Sequence, residues 1–213
     1  GLPWIIGGGR TWEIAGQTNL FPPLEATAKK GEKIQGEMLA HHFNGNGSGY
    51  ALGRGSSVGV ADHLRFVAAN YSAENEAAGA FVVADRSSNG QRWRLVVPEF
   101  VQVSTTDSSF TLTGPDGQTL RGLVFHQERP LKITTGTLRY GGSTVRHNTG
   151  IGFRGKAWRN SHFLDVYCDG EISVVMTLQP ASAPHPEVRY TPKAATFQIG
   201  QAIVPLRLPQ ASK

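Results

Sequence analysis

Phe110-Thr111-Leu112-Thr113 runs through Gly114-Pro115-Asp116-Gly117 and Gln118 into Thr119-Leu120-Arg121-Gly122-Leu123-Val124-Phe125. Apolar and polar residues alternate on both sides of the Asp-Gly pair, the pattern of strands that bury one face. Asp-Gly supplies a residue that tolerates positive φ, so the stretch predicts a β-hairpin. The same period recurs on either side of it. Upstream, a strand from His63 to Tyr71 would place Leu64, Phe66 and Ala68 on one face and Arg65, Val67 and Ala69 on the other. Phe81-Val82-Val83 follows Gly79 as an apolar strand core, and Trp93, Leu95 and Val97 alternate with Arg92, Arg94 and Val96. Pro98 closes that run or marks an edge. Downstream, Leu131 to Tyr140 and Phe163 to Tyr167 alternate again. Cys168-Asp169-Gly170-Glu171 reads as a second Asp-Gly hairpin leading into Ile172 to Leu178, and Ala195 to Ile199 pairs with Ala202 to Leu208 across Gly200-Gln201.

The best helical candidate, Leu24 to Leu39, is broken by Gly31 and Gly36. Each costs about 1 kcal/mol against Ala, so the segment reads as loop and strand. Strands recurring about every 8 to 12 residues predict an all-β fold. The expected architecture is a two-sheet antiparallel β-sandwich of supersandwich or jelly-roll kind, with little helix. A chain of 213 residues fits one such domain, 1–213, and buries roughly 70% of its unfolded surface without disulfide or metal. The proline-rich Pro180 to Pro192 is read as a surface crossover within it.

Charged residues make up 17% of the chain and Gly 26 of its residues, which implies tight turns and polar uncharged surface. The net charge of +5 permits attraction to nucleic acid or to anionic polysaccharide. No aromatic-basic recognition module accompanies it, so nucleic acid ranks last among partners. The lone Cys168 excludes an intrachain disulfide and a cysteine zinc site and reads as a packed small residue. No apolar run reaches the roughly 18 residues of a membrane span. Gly1-Leu2-Pro3-Trp4 lacks the start of a signal peptide, as a mature or trimmed chain would; the expected location is secreted or periplasmic.

Motifs exclude several chemistries. Gly7-Gly8-Gly9 precedes no helical pattern and no Gly-Lys-Ser/Thr, and neither G-x-S-x-G nor HExxH occurs. Nucleotide hydrolysis, serine esterase and zinc protease chemistry are thereby disfavoured, and no cofactor or metal is expected. Two constellations remain. Tyr140 to Thr149 and Ala157 to Phe163 gather Tyr, Arg, His, Asn and Trp. Aromatic faces stack on sugar rings, and Arg or Asn hydrogen-bond hydroxyls and carboxylates. Within them Arg146, His147, Trp158, Arg159 and His162 are the first candidates for carbohydrate binding. His41, His42 and Asn44 are the second. Imidazoles can bind a metal or move a proton, but neighbours on a strand point to opposite faces. The plainer reading is a turn-flanking pair with Asn-Gly making the turn.

From His41 to Glu99 the order of features resembles the C-terminal β-domain of heparinase II/III-like polysaccharide lyases. The matching pieces are AHHFNGNGSGYALGRG, DHLRFVAANY, GAFVVADR and RWRLVVPEF, and the close of the chain, ISVVMTLQPASAPHPEV and FQIGQAIVPLRL, is similar too. STVRHNTGIGF also resembles a His-Asn-Thr strand of the family, out of order here. In those lyases most catalytic groups sit on an α/α toroid, which has no counterpart in this sequence. Some members bind a structural zinc through two His and an Asp. His41 or His42 matches the first ligand, but Arg54 stands where the Asp is expected and Val97 where the later His is. The resemblance implies a carbohydrate-associated β-sandwich, an accessory or non-catalytic module that meets acidic polysaccharide and a catalytic or helical domain outside this chain. The alternatives are a self-contained lyase (a carbon–oxygen lyase on polysaccharides) or glycoside hydrolase with a Tyr/His cleft, and a purely structural domain packing on a partner. The sequence leaves open whether the chain is itself an enzyme.

Overall fold

A computed structural model of the chain describes residues 35–57, 60–87, 91–126, 132–139 and 160–209. Its centre is an eight-stranded antiparallel sheet in the order β1-β2-β3-β4-β11-β8-β7-β6. The strands are β1 (Gln35–Phe43), β2 (Gly49–Ser57), β3 (Val60–Asn70), β4 (Gly79–Arg86), β6 (Gln102–Thr105), β7 (Ser109–Thr113), β8 (Thr119–His126) and β11 (Glu171–Gln179). The hairpin expected at Gly114–Gly117 is β7–β8, with Leu112 opposite Leu120 and Gly117 at φ +80°. β3 presents the faces expected of it: Leu64, Phe66 and Ala68 are buried, and Val67 is exposed.

Two three-stranded sheets pack on this layer, one on each face. β5 (Gln91–Pro98), β10 (Asn160–Cys168) and β9 (Lys132–Arg139) form the first, ordered β5-β10-β9. Its Trp93, Leu95, Val97, Leu164 and Val166 meet Phe110, Leu112, Leu120 and Val174 in one core. Cys168 belongs to that core, as a small packed residue. β12 (Val188–Thr191), β13 (Thr196–Ile199) and β14 (Ala202–Pro205) form the second small sheet. Phe197, Ile199 and Val204 close a separate core over Phe66, Val82, Ala84 and Val175. The alternation explains the third layer. Val174 and Val175 are neighbours on β11 yet belong to different cores, so both faces of the central strands are apolar and both need cover. The all-β sandwich is therefore present, extended by the sheet that the Ala195–Leu208 pairing begins.

One expected hairpin is not a hairpin. Gly170 has φ +77° and the chain does turn at Asp169-Gly170, but β10 pairs with β5 and β9 while β11 pairs with β4 and β8. The turn carries the chain from one sheet to the other across the core. Asp-Gly fixes a local reversal, whereas hydrogen-bond partners are set by which faces must meet. The proline-rich stretch is a crossover as far as Glu187, after which β12 begins. It is tied to the central sheet by His185, whose Nδ1 and Nε2 hydrogen-bond the hydroxyls of Thr177 and Thr119 at 2.8 Å each.

Cross-strand glycines make room for rings: Phe110 lies over Gly122 opposite it, and Phe163 over Gly136. A Cβ at Gly122 collides with the Phe110 ring, which is fully buried and has nowhere to move. Gly122→Val is expected to destabilise the fold by about 1–3 kcal/mol, the usual cost of overpacking, read as a lower urea midpoint; an unchanged midpoint would show that the ring is not fixed.

Candidate functional site

Four of the first-choice sugar residues, Arg146, His147, Trp158 and Arg159, lie outside the described residues. The fifth, His162, is half-buried on β10, opposite Val97 and Thr137. It belongs to the small sheet on one face of the central layer. Of the second-choice residues, His42 and Asn44 line a cleft on the opposite face of the central layer, so His162 does not converge with them.

His41 and His42 end β1, and they diverge as strand geometry requires: His41 is opposite Ala51, and His42 is opposite Tyr50. Asn44 opens the turn, which Gly47 completes at φ +81° with the Asn44 amide donating to the Ser48 carbonyl at 2.7 Å. The side chain of Asn44 meets that of His42, Oδ1 to Nε2, at 2.7 Å. Both line an open cleft of about 200 Å³ between the β1–β3 wing on one side and β14 with the chain that follows it on the other. Tyr50 forms part of its wall, with its ring stacked on Phe66 (centroids 5.8 Å) and 6.2 Å from His42. From the third layer come Ile203, Pro205 and Arg207, whose guanidinium sits 4.9 Å from the Tyr50 centroid. Cation–π contact of this kind holds an arginine without neutralising it.

Tyr50 and Arg207 were not singled out from the sequence. The signal for Arg207 is the alternation in Pro205-Leu206-Arg207-Leu208: Leu206 is buried, Leu208 packs on the core and Arg207 is exposed. Nothing in the sequence places it beside β1, which lies more than a hundred and fifty residues earlier. As for zinc, Arg54 is exposed on β2 and Val97 is fully buried in the core. Among the described residues no three His, Cys, Asp or Glu side chains are grouped to hold a metal. No described helix is long and apolar enough to cross a membrane.

Two further charged clusters centre on the buried carboxylates of Asp85 and Asp165. Arg65 grips Asp85 with Nε at 2.6 Å and Nη2 at 2.5 Å, and His63 Nε2 lies 3.7 Å from the same carboxylate. Arg94 and Asp165 make the equivalent fork at 2.5 Å, with the Tyr167 hydroxyl donating to Asp165 at 3.3 Å. Burial pushes the His63 imidazole below its ordinary value; Asp85 opposes the shift and Arg65 adds to it. His185 is lowered as well, by burial and then by Arg121. Both histidines bind a proton more weakly folded than unfolded, so the unfolded chain takes up more protons as pH falls through about 6.5. The stability they permit is complete above that pH and is lost below it. The urea midpoint is therefore expected to drop between about pH 7.5 and 5.5, and the double change His63→Gln, His185→Gln to flatten that drop; a slope unaltered in the double variant would assign it to other groups.

No protein-family model matches the chain, and no curated protein matches it. Solved structures do. Heparan sulfate lyase HepC from Pedobacter heparinus is similar at a TM-score of 0.53 and 16% identity, over 83% of this chain and 29% of that one. A heparinase III is similar at 0.53 and 12% identity, over 80% and 27%. Another heparinase III structure gives 0.50 and 10%, over 79% and 26%. The chain thus spans less than a third of the length of these lyases. At such identities the likeness is one of fold: the resemblance read from the sequence is a partial-domain one, an all-β unit of the kind contained in heparan sulfate lyase and heparinase III.

Proposed function

We propose that the chain is a carbohydrate-associated β-domain of a polysaccharide-degrading protein, an accessory module that contacts acidic glycan. The observation that carries this reading is the fold, shared over about four-fifths of the chain with lyases named for heparan sulfate and heparin. The charge balance of +5 is of the right sign for uronate or sulfated polymers. Contacts of that kind are screened by salt, so binding is expected to be selective for acidic polymers and to weaken from low to moderate ionic strength. A binding screen over neutral and acidic polysaccharides at two salt concentrations measures this; equal binding to neutral polymers, or none to any glycan, would remove the reading.

A second reading, a self-contained lyase with a Tyr/His cleft, is favoured by the neighbourhood of His42, Tyr50, Asn44 and Arg207. Abstraction of the proton beside a uronate carboxyl needs a base and a neutralising partner, and these side chains are of the right types. The ultraviolet absorbance of unsaturated uronate, followed while the chain is mixed with uronate polymers, separates the two: a rise establishes the lyase, and binding without a rise establishes the module.

The third reading, a domain that packs on a partner, is supported by one face of the β1–β3 wing. Met38, Phe43, Val67 and Tyr71 are its exposed large apolar residues, and Ala51 and Gly53 lie among them in the sheet. His41 and the Arg65–Asp85 pair share that face, but exposed apolar residues grouped in this way promote association when nothing covers them. Sedimentation at rising concentration is expected to show self-association that Val67→Asp weakens; a chain that stays monomeric at high concentration would argue against a docking role.

A further inference from the structure

We infer that the cleft between the β1–β3 wing and the third layer is a subsite for one sugar-borne oxyanion, a carboxylate or a sulfate ester, and that Arg207 is the residue that grips it. This subsite rests on the glycan-binding reading proposed above and assigns to it a particular chemical group.

The electrostatics are one-sided. Among the described residues lining the cleft there is an arginine and a histidine, and no aspartate or glutamate. Four other arginines are neutralised by a carboxylate: Arg65 by Asp85, Arg86 by Glu171, Arg94 by Asp165 and Arg189 by Glu187. Arg207 is held by the Tyr50 ring instead, and among the described residues its fork of N–H donors has no carboxylate partner. A guanidinium that rests on a ring and meets no carboxylate among the described residues is suited to bidentate capture of a planar carboxylate or of two sulfate oxygens.

The position of Arg207 is built into the backbone. The Leu206 amide donates to the Ala195 carbonyl at 2.7 Å, and Leu206 and Leu208 both pack on the second core. The side chain between them therefore points away from the core, over β2. Across the cleft the bond between His42 Nε2 and Asn44 Oδ1 engages the carbonyl end of that amide and leaves its NH₂ as a second donor. Donors on both sides suit a ligand group that can only accept. Ile203, more than half exposed at 59%, gives the cleft an apolar margin against which the C–H face of a sugar ring can lie. At about 200 Å³ the space is of the order of a single monosaccharide unit, so the site would read one residue of a polymer.

The test compares the full chain with Arg207→Ala, Arg207→Lys and Lys193→Ala, the last removing the same unit of charge from an exposed turn outside the cleft. Each is titrated with an unsulfated uronate polymer, a sulfated uronate polymer and a neutral polymer, and circular dichroism checks each fold. The expected result is a loss of about tenfold or more in affinity for acidic polymer in Arg207→Ala, a partial loss in Arg207→Lys because the fork is gone, and little change in Lys193→Ala. A larger loss for the sulfated polymer identifies a sulfate ester as the group held, and an equal loss for both identifies the carboxylate they share. Equal losses in Arg207→Ala and Lys193→Ala, or none in Arg207→Ala, would overturn the subsite while leaving glycan binding intact. Failure of the unaltered chain to bind any acidic polymer would overturn the functional reading itself.

Discussion

β4 and β11 lie side by side at the middle of the eight-stranded sheet, and each must satisfy two cores at once. Val83 and Val174 turn to one side, Val82 and Val175 to the other, and all four are buried. A strand apolar on both faces is unstable against water on either, at roughly 25 cal/mol for each Å² of apolar surface exposed. The three-layer arrangement follows from that demand. One small sheet is recruited by the Val174 face and another by the Val175 face, and the turns that cross between layers are placed where the chain needs to change sides.

The same demand explains the buried charges. β3 and β5 carry arginines in their alternating patterns, and each points at a carboxylate that is cut off from water. Arg94, only 4% exposed, is matched directly across the strand pair by Asp165, and Arg65 is matched across β3–β4 by Asp85. A buried pair of this kind adds little net stability, but removing one member leaves an uncompensated charge at a cost of about 3–5 kcal/mol. These pairs therefore favour one register over its neighbours: a slip by one residue would move Arg65 to the opposite face and leave Asp85 alone.

The cleft owes its composition to layer docking. The wing alone offers His42, Asn44 and Tyr50 on a solvent-facing edge, and the third layer alone offers a tail with an outward arginine. Only when Phe197 and Val204 pack over Phe66 do the two come within reach. A site assembled in this way lies on rigid strands rather than on loop tips, which is the condition for holding a ligand group in fixed geometry.

Much of the fold was legible in the sequence because it is a matter of period and turn chemistry. The alternation in β3, β5 and β8, the Asp-Gly turn at Asp116-Gly117 and the final pairing around Gly200 are local signals, and local sterics decide them. His42 and Asn44 were legible as chemistry-capable residues beside a turn, and His41 and His42 as a diverging pair. Less legible were the short strands β6 and β12, with few residues to show a period, and the destination of the Asp169-Gly170 turn. The partners of His42 were not legible at all: Arg207 follows it by 165 positions, and no local pattern couples them. By itself, then, the sequence determined the strands, most of the turns and the face each residue presents, since backbone sterics and side-chain polarity act over a few residues. The tertiary structure alone decided which strands pair, that a third layer covers the second face, and that Arg207 meets Tyr50 and His42, because those outcomes depend on burying apolar surface contributed by distant parts of the chain.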